Sequence, residues 1–382
     1  MSDIKYIAVL CCFMFSAESL AAGKISSNEF NPAISLILTG TYSQFSNDPD
    51  SYYIPGFALA EETGPGEEGF SLGESELNIS ANVDDLFYGH LTVALTPEQE
   101  VEIEEAYFET LGLGGGVTIK AGRFFSGIGY LNQQHAHSWD FVDQPLVYRA
   151  MLGNQLSDDG LQIRWLAPTD TYLEFGIEGL RGEGFPAGNA ANQGRGTVTA
   201  FAHIGGDFDH SHSWQAGLSL VDAEADARET SEPVETFTGD SQIVIVDFVW
   251  KWAPQGNPKQ KNFKLQAEYF SRDEEGLYEG NNYAAEQSGY YLQAVYQFVP
   301  KWRAGLRYDA LTADDPGAAF AGTALDTLGH DPERWSVMLD WSRTEFSRLR
   351  LQYNMDDSSP DQDEQVYLQY VMSLGAHGAH RF

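Results

Sequence analysis

Residues 302–310, WRAGLRYDA, set Trp302, Ala304, Leu306, Tyr308 and Ala310 on one side of an extended chain and Arg303, Gly305, Arg307 and Asp309 on the other. A period of two over this length specifies a strand with one apolar and one wet face. The pattern recurs. Tyr290, Leu292, Ala294, Tyr296 and Phe298 oppose Gln293 and Gln297; Lys264, Gln266 and Glu268 mark the wet side of 263–270; 161–167, 335–343 and 348–355 read the same way. In 101–110 the apolar phase moves from Val101 and Ile103 to Ala106 and Phe108, which predicts a β-bulge near Glu104–Glu105. About sixteen such segments follow one another: 33–46, 72–82, 85–96, 100–110, 117–123, 159–168, 171–181, 196–208, 212–223, 241–253, 261–272, 288–299, 301–313, 332–344, 347–356 and 364–382.

The connections sort by length. Long polar links rich in Gly and Asp (47–71, 124–158, 182–195, 224–240, 273–287, 314–331) take turns with tight ones such as VDD, APTD, VPK and TEF; TPEQE at 96–100 is a short link in a long-link slot. An antiparallel barrel that crosses a membrane has this rhythm, with an even strand number, short turns on the inner side and longer loops outside. A soluble sandwich has no reason to sort its loops so. Aromatic rings also gather at segment ends: Phe298 and Trp302, Trp250 and Trp252, Trp165, Trp341 and the terminal Phe382. Rings of this kind suit the headgroup level of a bilayer. The fold expected is all-β, a transmembrane antiparallel β-barrel of about sixteen strands, in contact with outer-membrane lipid and lipopolysaccharide.

The N-terminus reads MSDIKYIAVLCCFMFSAESLAA: a charged start ending at Lys5, an apolar run, then Ser19-Leu20-Ala21. This is the pattern of a secretory signal peptide over 1–21, leaving 22–382 as the barrel. A lipoprotein reading of Cys11 or Cys12 is disfavoured by Leu10 and by the apolar run continuing past both. The mature chain then has no cysteine, so its core, closure of a sheet or a membrane must stabilise it. A formal charge of −34 argues against nucleic acid as a partner and suits divalent cations or plain solvation.

Sixteen strands are expected to leave a water-filled lumen. With the polar faces inward, Glu74, Glu76, Glu102, Glu104, Glu174 and Glu178 line the first half, while Lys264, Arg272, Arg303, Arg307, Arg348 and Arg350 line the second, with Lys120 and Arg164 between. An acidic wall opposite a basic one sets up a transverse field. The longest link, after GRFF at 122–125, keeps neither a strand's period nor a helix's, and carries His135, His137, Asp140, Asp143 and Arg149 beside Arg123. On the barrel exterior it would expose Phe124, Phe125, Trp139 and Phe141 to no purpose. This third outer loop is therefore expected to fold into the lumen and form its constriction.

Nine histidines include two His-x-His pairs. On an extended backbone residues i and i+2 share a face, so two imidazoles can reach one metal. His135 and His137 with Asp140 or Asp143 form one candidate zinc set; His210 and His212 with Asp207 and Asp209 form a second, and His377 with His380 a looser third. Hydrogen-bonded histidines at a polar constriction are the alternative. No cofactor is required. Ser-His-Asp order, nucleophile elbow, phosphate loop and HExxH are absent, so no enzyme is expected.

Two resemblances can be stated on these residues. KAGRFFSGIGYLNQQHAHSWDFVDQPLVYRAMLG followed by GLQIRWLAPT resembles, in outline, the phosphate-selective and related sixteen-stranded porins. FSLGESELNISANVDDLFYGHLTVAL, the loop and the GAHGAH ending are similar to short proteobacterial proteins labelled zinc-regulated, TonB-dependent outer-membrane receptors. The resemblance implies a Gram-negative outer membrane, a homotrimer, recognition of the terminal Phe382 by the barrel-insertion machinery, and a part in zinc uptake. Energised gating is not expected, because a coupled receptor needs about twenty-two strands and a plug. The reading is a passive channel for small solutes or ions linked to zinc; a general or anion-selective porin and a receptor barrel are the alternatives.

Overall fold

The structure is a computed structural model, and it describes residues 32–61, 63–96, 100–188, 196–231 and 234–375. The expected signal peptide, the His377/His380 pair and the terminal Phe382 lie outside the described residues. The strands are β1 Ala33–Phe45, β2 Gly69–Ser71, β3 Ser75–Asn82, β4 Phe87–Leu95, β5 Val101–Thr110, β6 Val117–Phe125, β7 Ser157–Leu166, β8 Tyr172–Leu180 and β9 Thr197–Asp209. They continue with β10 His212–Glu229, β11 Thr236–Trp252, β12 Asn262–Tyr278, β13 Asn281–Val299, β14 Trp302–Ala313, β15 Glu333–Thr344, β16 Ser347–Asp357 and β17 Asp363–Gly375.

Apart from β2 and β3, which both pair with β1, each strand pairs antiparallel with its sequence neighbours, and β17 returns to β1 with Leu38 opposite Met372 and Tyr42 opposite Leu368. The sheet is closed. Both β2 and β3 lie along β1, Tyr42 opposite Phe70 and Ile37 opposite Glu76. They are two halves of one stave, so the barrel has sixteen staves. All the alternating segments of the sequence find a strand.

Alternation sets the two surfaces. Along β10, Leu218 and Leu220 are each 50% exposed while Ser219 and Val221 between and beside them are 0% and 2% exposed. A belt of half-exposed Leu, Val, Ile and aromatic side chains runs round the whole exterior, far larger than the few hundred Å² a soluble monomer tolerates. Rings close the belt at both ends. Trp165 stacks on Phe175, and Trp250, Phe263 and Tyr296 form a chain at the short-turn end, where Trp302 meets Trp341. Tyr290, Tyr308 and Trp335 form the counterpart at the long-loop end. From Trp302 to Tyr308 at ~3.3 Å per residue is about 20 Å, close to the apolar band of about 25 Å that such barrels present to lipid.

Two expectations are corrected. The links 224–240 and 273–287 are mostly strand: β10 and β11 leave only 230–235 between them, and β12 and β13 only Glu279-Gly280. Those two residues have φ of 48° and 75°, the double positive φ of the tight hairpin turn whose twist matches its strands. Polar residues there decorate strands that run on past the lipid level, so composition alone read them as loop.

The lumen is not simply water-filled either. In its long-loop half, Ile54, Phe57 and Leu59 of the first outer link pack with the helix α1 (Leu146–Leu152) of the third. Their partners are inward-facing Val221, Ala223, Ile243, Ile245, Phe270, Tyr291 and Leu311. The unbroken run Ile243-Val244-Ile245-Val246 carries the reason: both faces of β11 are apolar there, one for lipid and one for this internal cluster.

Candidate functional site: a loop held between oppositely charged walls

The segment 126–156 leaves β6 and makes its contacts with the polar faces of strands around the barrel. Two buried carboxylates seat its start. Glu178 on β8 accepts from the Ser126 hydroxyl and from Gly127 N–H at 2.8 Å. Glu268 on β12 accepts from Tyr130 N–H (3.1 Å), Leu131 N–H (3.0 Å), Tyr148 Oη (2.9 Å) and Tyr291 Oη. Gly129 makes the approach feasible: its φ is +58°, and a Cβ would lie 2.5 Å from Glu268 Oε2. Farther along, α1 ends on Gly153 in the left-handed conformation.

The histidines reach the acidic wall. His135 faces Glu104 of β5 through Nδ1 at 3.3 Å and Glu105 through Nε2 at 3.0 Å, with Glu76 of β3 3.4 Å from Nδ1. His137 Nδ1 lies 2.6 Å from the other oxygen of Glu76, and the two imidazoles stack at 5.7 Å. Successive residues of a regular strand point to opposite faces. The expected bulge is present: Thr92 opposes Glu105 and Val93 opposes Ile103, leaving Glu104 as the extra residue. It lets two consecutive glutamates reach one imidazole. Burial works against the His135 imidazolium, but Glu76, Glu104 and Glu105 outweigh it and hold its pKa well above the usual value.

Five residues on, the loop meets the basic wall. Asp140 accepts from Lys264 Nζ of β12 at 2.9 Å and Arg303 of β14 at 2.8 Å. Asp143 accepts from Arg307 of β14 (2.8 Å), Arg334 of β15 (2.9 Å), and Gln352 and Asn354 of β16 (2.7 and 2.9 Å), with Arg149 of α1 3.6 Å away. Arg348 and Arg350 donate to the carbonyls of His137 and Trp139. Burial opposes both aspartate charges, yet Lys264 and Arg303 beside Asp140, and Arg307 and Arg334 beside Asp143, keep both carboxyls far below the usual range. The two-walled charge pattern of the sequence is thus present, and the loop's own charges complement it wall by wall.

That complementarity corrects several site expectations. Asp140 and Asp143 are fully engaged by cations and cannot complete a metal site with the histidines. Arg307, Arg350 and Arg149 are buried under or within the loop instead of lining free lumen. Arg123 shares a face with Ile119 and Ala121 and pairs outside with Asp159 at 2.9 Å. Glu102, by contrast, lies on the inward face as expected, opposite Ala94, which itself opposes Glu76, and is exposed at the end of β5. His212 stacks on Trp250 at 5.5 Å, and Asp209 accepts from Ser211 N–H, so the second His-x-His set does not assemble. Among the described residues, the group whose donor atoms approach as metal ligands is Glu76, Glu104 and His135.

Arg164 is placed as expected, between Glu109 (2.9 Å) and Glu174 (3.5 Å). It lines a cavity of about 760 Å³ on the short-turn side of the loop, together with His135, His137, Glu105, Lys120 and His90. Sequence reasoning missed Glu105 and Arg334 as site residues. Both carried a signal: the strand phase restarts after the bulge, and Arg334, Ser336 and Asp340 alternate with Trp335, Val337 and Leu339.

No protein-family model matches the chain. It is 31% identical over 343 residues to an uncharacterised protein of Aquifex aeolicus (strain VF5), an alignment that takes in 83% of this chain and 71% of that protein. Similar solved structures include an anion-selective porin from Comamonas acidovorans (TM-score 0.58, 10% identity, 90% of this chain and 99% of that one). The outer-membrane channel DcaP of Acinetobacter baumannii (0.57, 13%, 90% and 97%) and the trimer form of Vibrio cholerae OmpT (0.55, 12%, 90% and 99%) are others. At these identities the likeness establishes a porin-like barrel fold.

Proposed function

This chain belongs to one family with the uncharacterised Aquifex aeolicus protein, and from the porin-like barrel and the geometry above we propose that it is a passive, narrow channel of a Gram-negative outer membrane. The observation that carries the reading is the third outer loop strung between the two charged walls, His135 at one and Asp140 and Asp143 at the other. A loop so held leaves its passage on the acidic side. The basic wall is spent on the loop's aspartates and carbonyls, and on Asp340 and Asp309. The cavity keeps Glu105, Glu174 and Asp207, with Glu76 and Glu104 behind His135, against Lys120, Arg164 and that histidine. Small cations are therefore the favoured solutes, zinc among them, and a homotrimer is the assembly its fold relatives support.

The test is a planar-bilayer recording of the refolded protein across a salt gradient. Small, steady conductance with a reversal potential on the cation side is expected. A reversal potential on the anion side would overturn the solute class in favour of an anion-selective porin. No conductance at all would overturn the channel itself and favour a closed receptor barrel, a reading that the apolar cluster in the long-loop half also suits. Light scattering in detergent checks the trimer.

A further inference from the structure

His135 Nδ1 carries at most one proton, yet two carboxylate oxygens converge on it, Glu104 Oε2 at 3.3 Å and Glu76 Oε2 at 3.4 Å. Both separations are long for a charge-assisted hydrogen bond, which prefers about 2.7–2.9 Å. They match a different object. Ligands about 2.0–2.1 Å from a tetrahedral ion stand roughly 3.3 Å apart along each edge, and the three donor atoms all lie within 4.8 Å of one another.

The surroundings are those of a ligand set. Glu105 Oε2 sits 3.0 Å from the opposite ring nitrogen. A carboxylate there fixes the tautomer of a metal-bound histidine, holding Nε2–H and turning the Nδ1 lone pair toward the ion. His137, 2.6 Å from Glu76 Oε1, does the same for Glu76 and aims its other oxygen inward. Three elements supply the donors: β3, the bulge of β5 and the loop. The bulge is what allows Glu104 to ligate while its neighbour Glu105 orients. Asn78, 3.4 Å from Glu76 Oε2, Glu74, whose side chain hydrogen-bonds Glu104, His90, 3.5 Å from Glu105, and Lys120, which lines the same cavity, are further polar neighbours. A fourth position would open to the cavity that His135 and Glu105 line.

We propose that Glu76, Glu104 and His135 bind a divalent cation of borderline character, the zinc and cobalt class, with Glu105 and His137 as positioning residues. One nitrogen and two carboxylates suit such ions better than calcium or magnesium, which take oxygen shells of six or more. The ion takes the place of the Nδ1 proton and ties the loop to the acidic wall by coordination bonds. The site does not depend on conduction; it needs only the barrel and its loop.

The experiment is a titration of the chelator-stripped, detergent-solubilised full chain with Co²⁺, read by its visible d–d absorption and displaced with Zn²⁺. Heat-modifiable migration on a gel confirms that each variant is folded. A saturable band is expected, lost in folded His135→Gln and in folded Glu76→Gln plus Glu104→Gln. Glu105→Gln is expected to keep the band and weaken affinity about 10- to 100-fold, as removal of an orienting partner does. His210→Ala plus His212→Ala is expected to leave the titration unchanged. No band in the folded wild type overturns the proposal, and so does a band that survives His135→Gln. Because no current is measured, failure here is distinct from failure of the channel reading.

Discussion

Asp143 shares two carboxylate oxygens among two arginines, a glutamine and an asparagine from three neighbouring strands, and it is buried. Removing it leaves Arg307 and Arg334 enclosed without that counter-charge, which costs about 3–5 kcal/mol when a buried pair is broken from one side. Asp143→Ala is therefore expected to lower the thermal midpoint of the detergent-folded barrel and to raise its conductance as the loop comes free. An unchanged midpoint would contradict the tether. The pH response follows from the same site. A carboxyl whose folded pKa is depressed contributes stability above its ordinary value of about 3.9 and loses it only as pH falls through the folded one. Since Asp140 and Asp143 are both depressed far below that value, these two carboxyls should give no loop-release step in thermal midpoint or conductance between about pH 7 and 5. A step there that survives Glu268→Gln, which removes another titratable seat of the loop, would mean that the aspartates are not held as described. At this scale the histidines, the bulge and the acidic and basic halves were legible in the sequence. The partners were not: Asp143 and Arg334 are separated by 191 residues along the chain, and nothing local in either reveals the other.

The bulge in β5 is the element on which the acidic wall depends. Deleting Glu104 leaves Thr92 opposite Glu105 and Val93 opposite Ile103, a regular ladder with both faces still in phase. The deletion is expected to keep the barrel folded by gel migration while removing a carboxylate from His135 and abolishing the cobalt band. A single-residue deletion elsewhere in that strand would flip every later side chain to the wrong face. The internal cluster of the first and third outer links behaves as a separate packing unit. Phe57→Ala opens a cavity worth about 3–5 kcal/mol. Faster amide exchange is expected in 52–59 and 146–152, with the strands below keeping their protection. Strand positions were readable because lipid and lumen demand opposite side chains at successive residues. The cluster was not, because an apolar residue on an inward face looks like a lapse in the pattern until the loop covering it is seen.

For the whole molecule, the apolar belt fixes where it can live. Leu220→Arg places a cation on the lipid face and should cost about 2–4 kcal/mol near the bilayer midplane and less toward its edge, measured as the folding equilibrium in lipid vesicles. Equal cost in detergent-free buffer, with the wild type monodisperse there, would remove the membrane from the account. The sequence by itself determined the alternation, hence a closed antiparallel barrel with lipid outside, and it determined which strands carry which charge. Only the tertiary structure decided which walls the third loop bridges, how far β10 to β13 run on, and that an apolar cluster occupies part of the long-loop half. The physical reason is range. Period-two patterning is a local demand repeated at every residue, whereas the contacts across the lumen join groups that come together only once the sheet has closed.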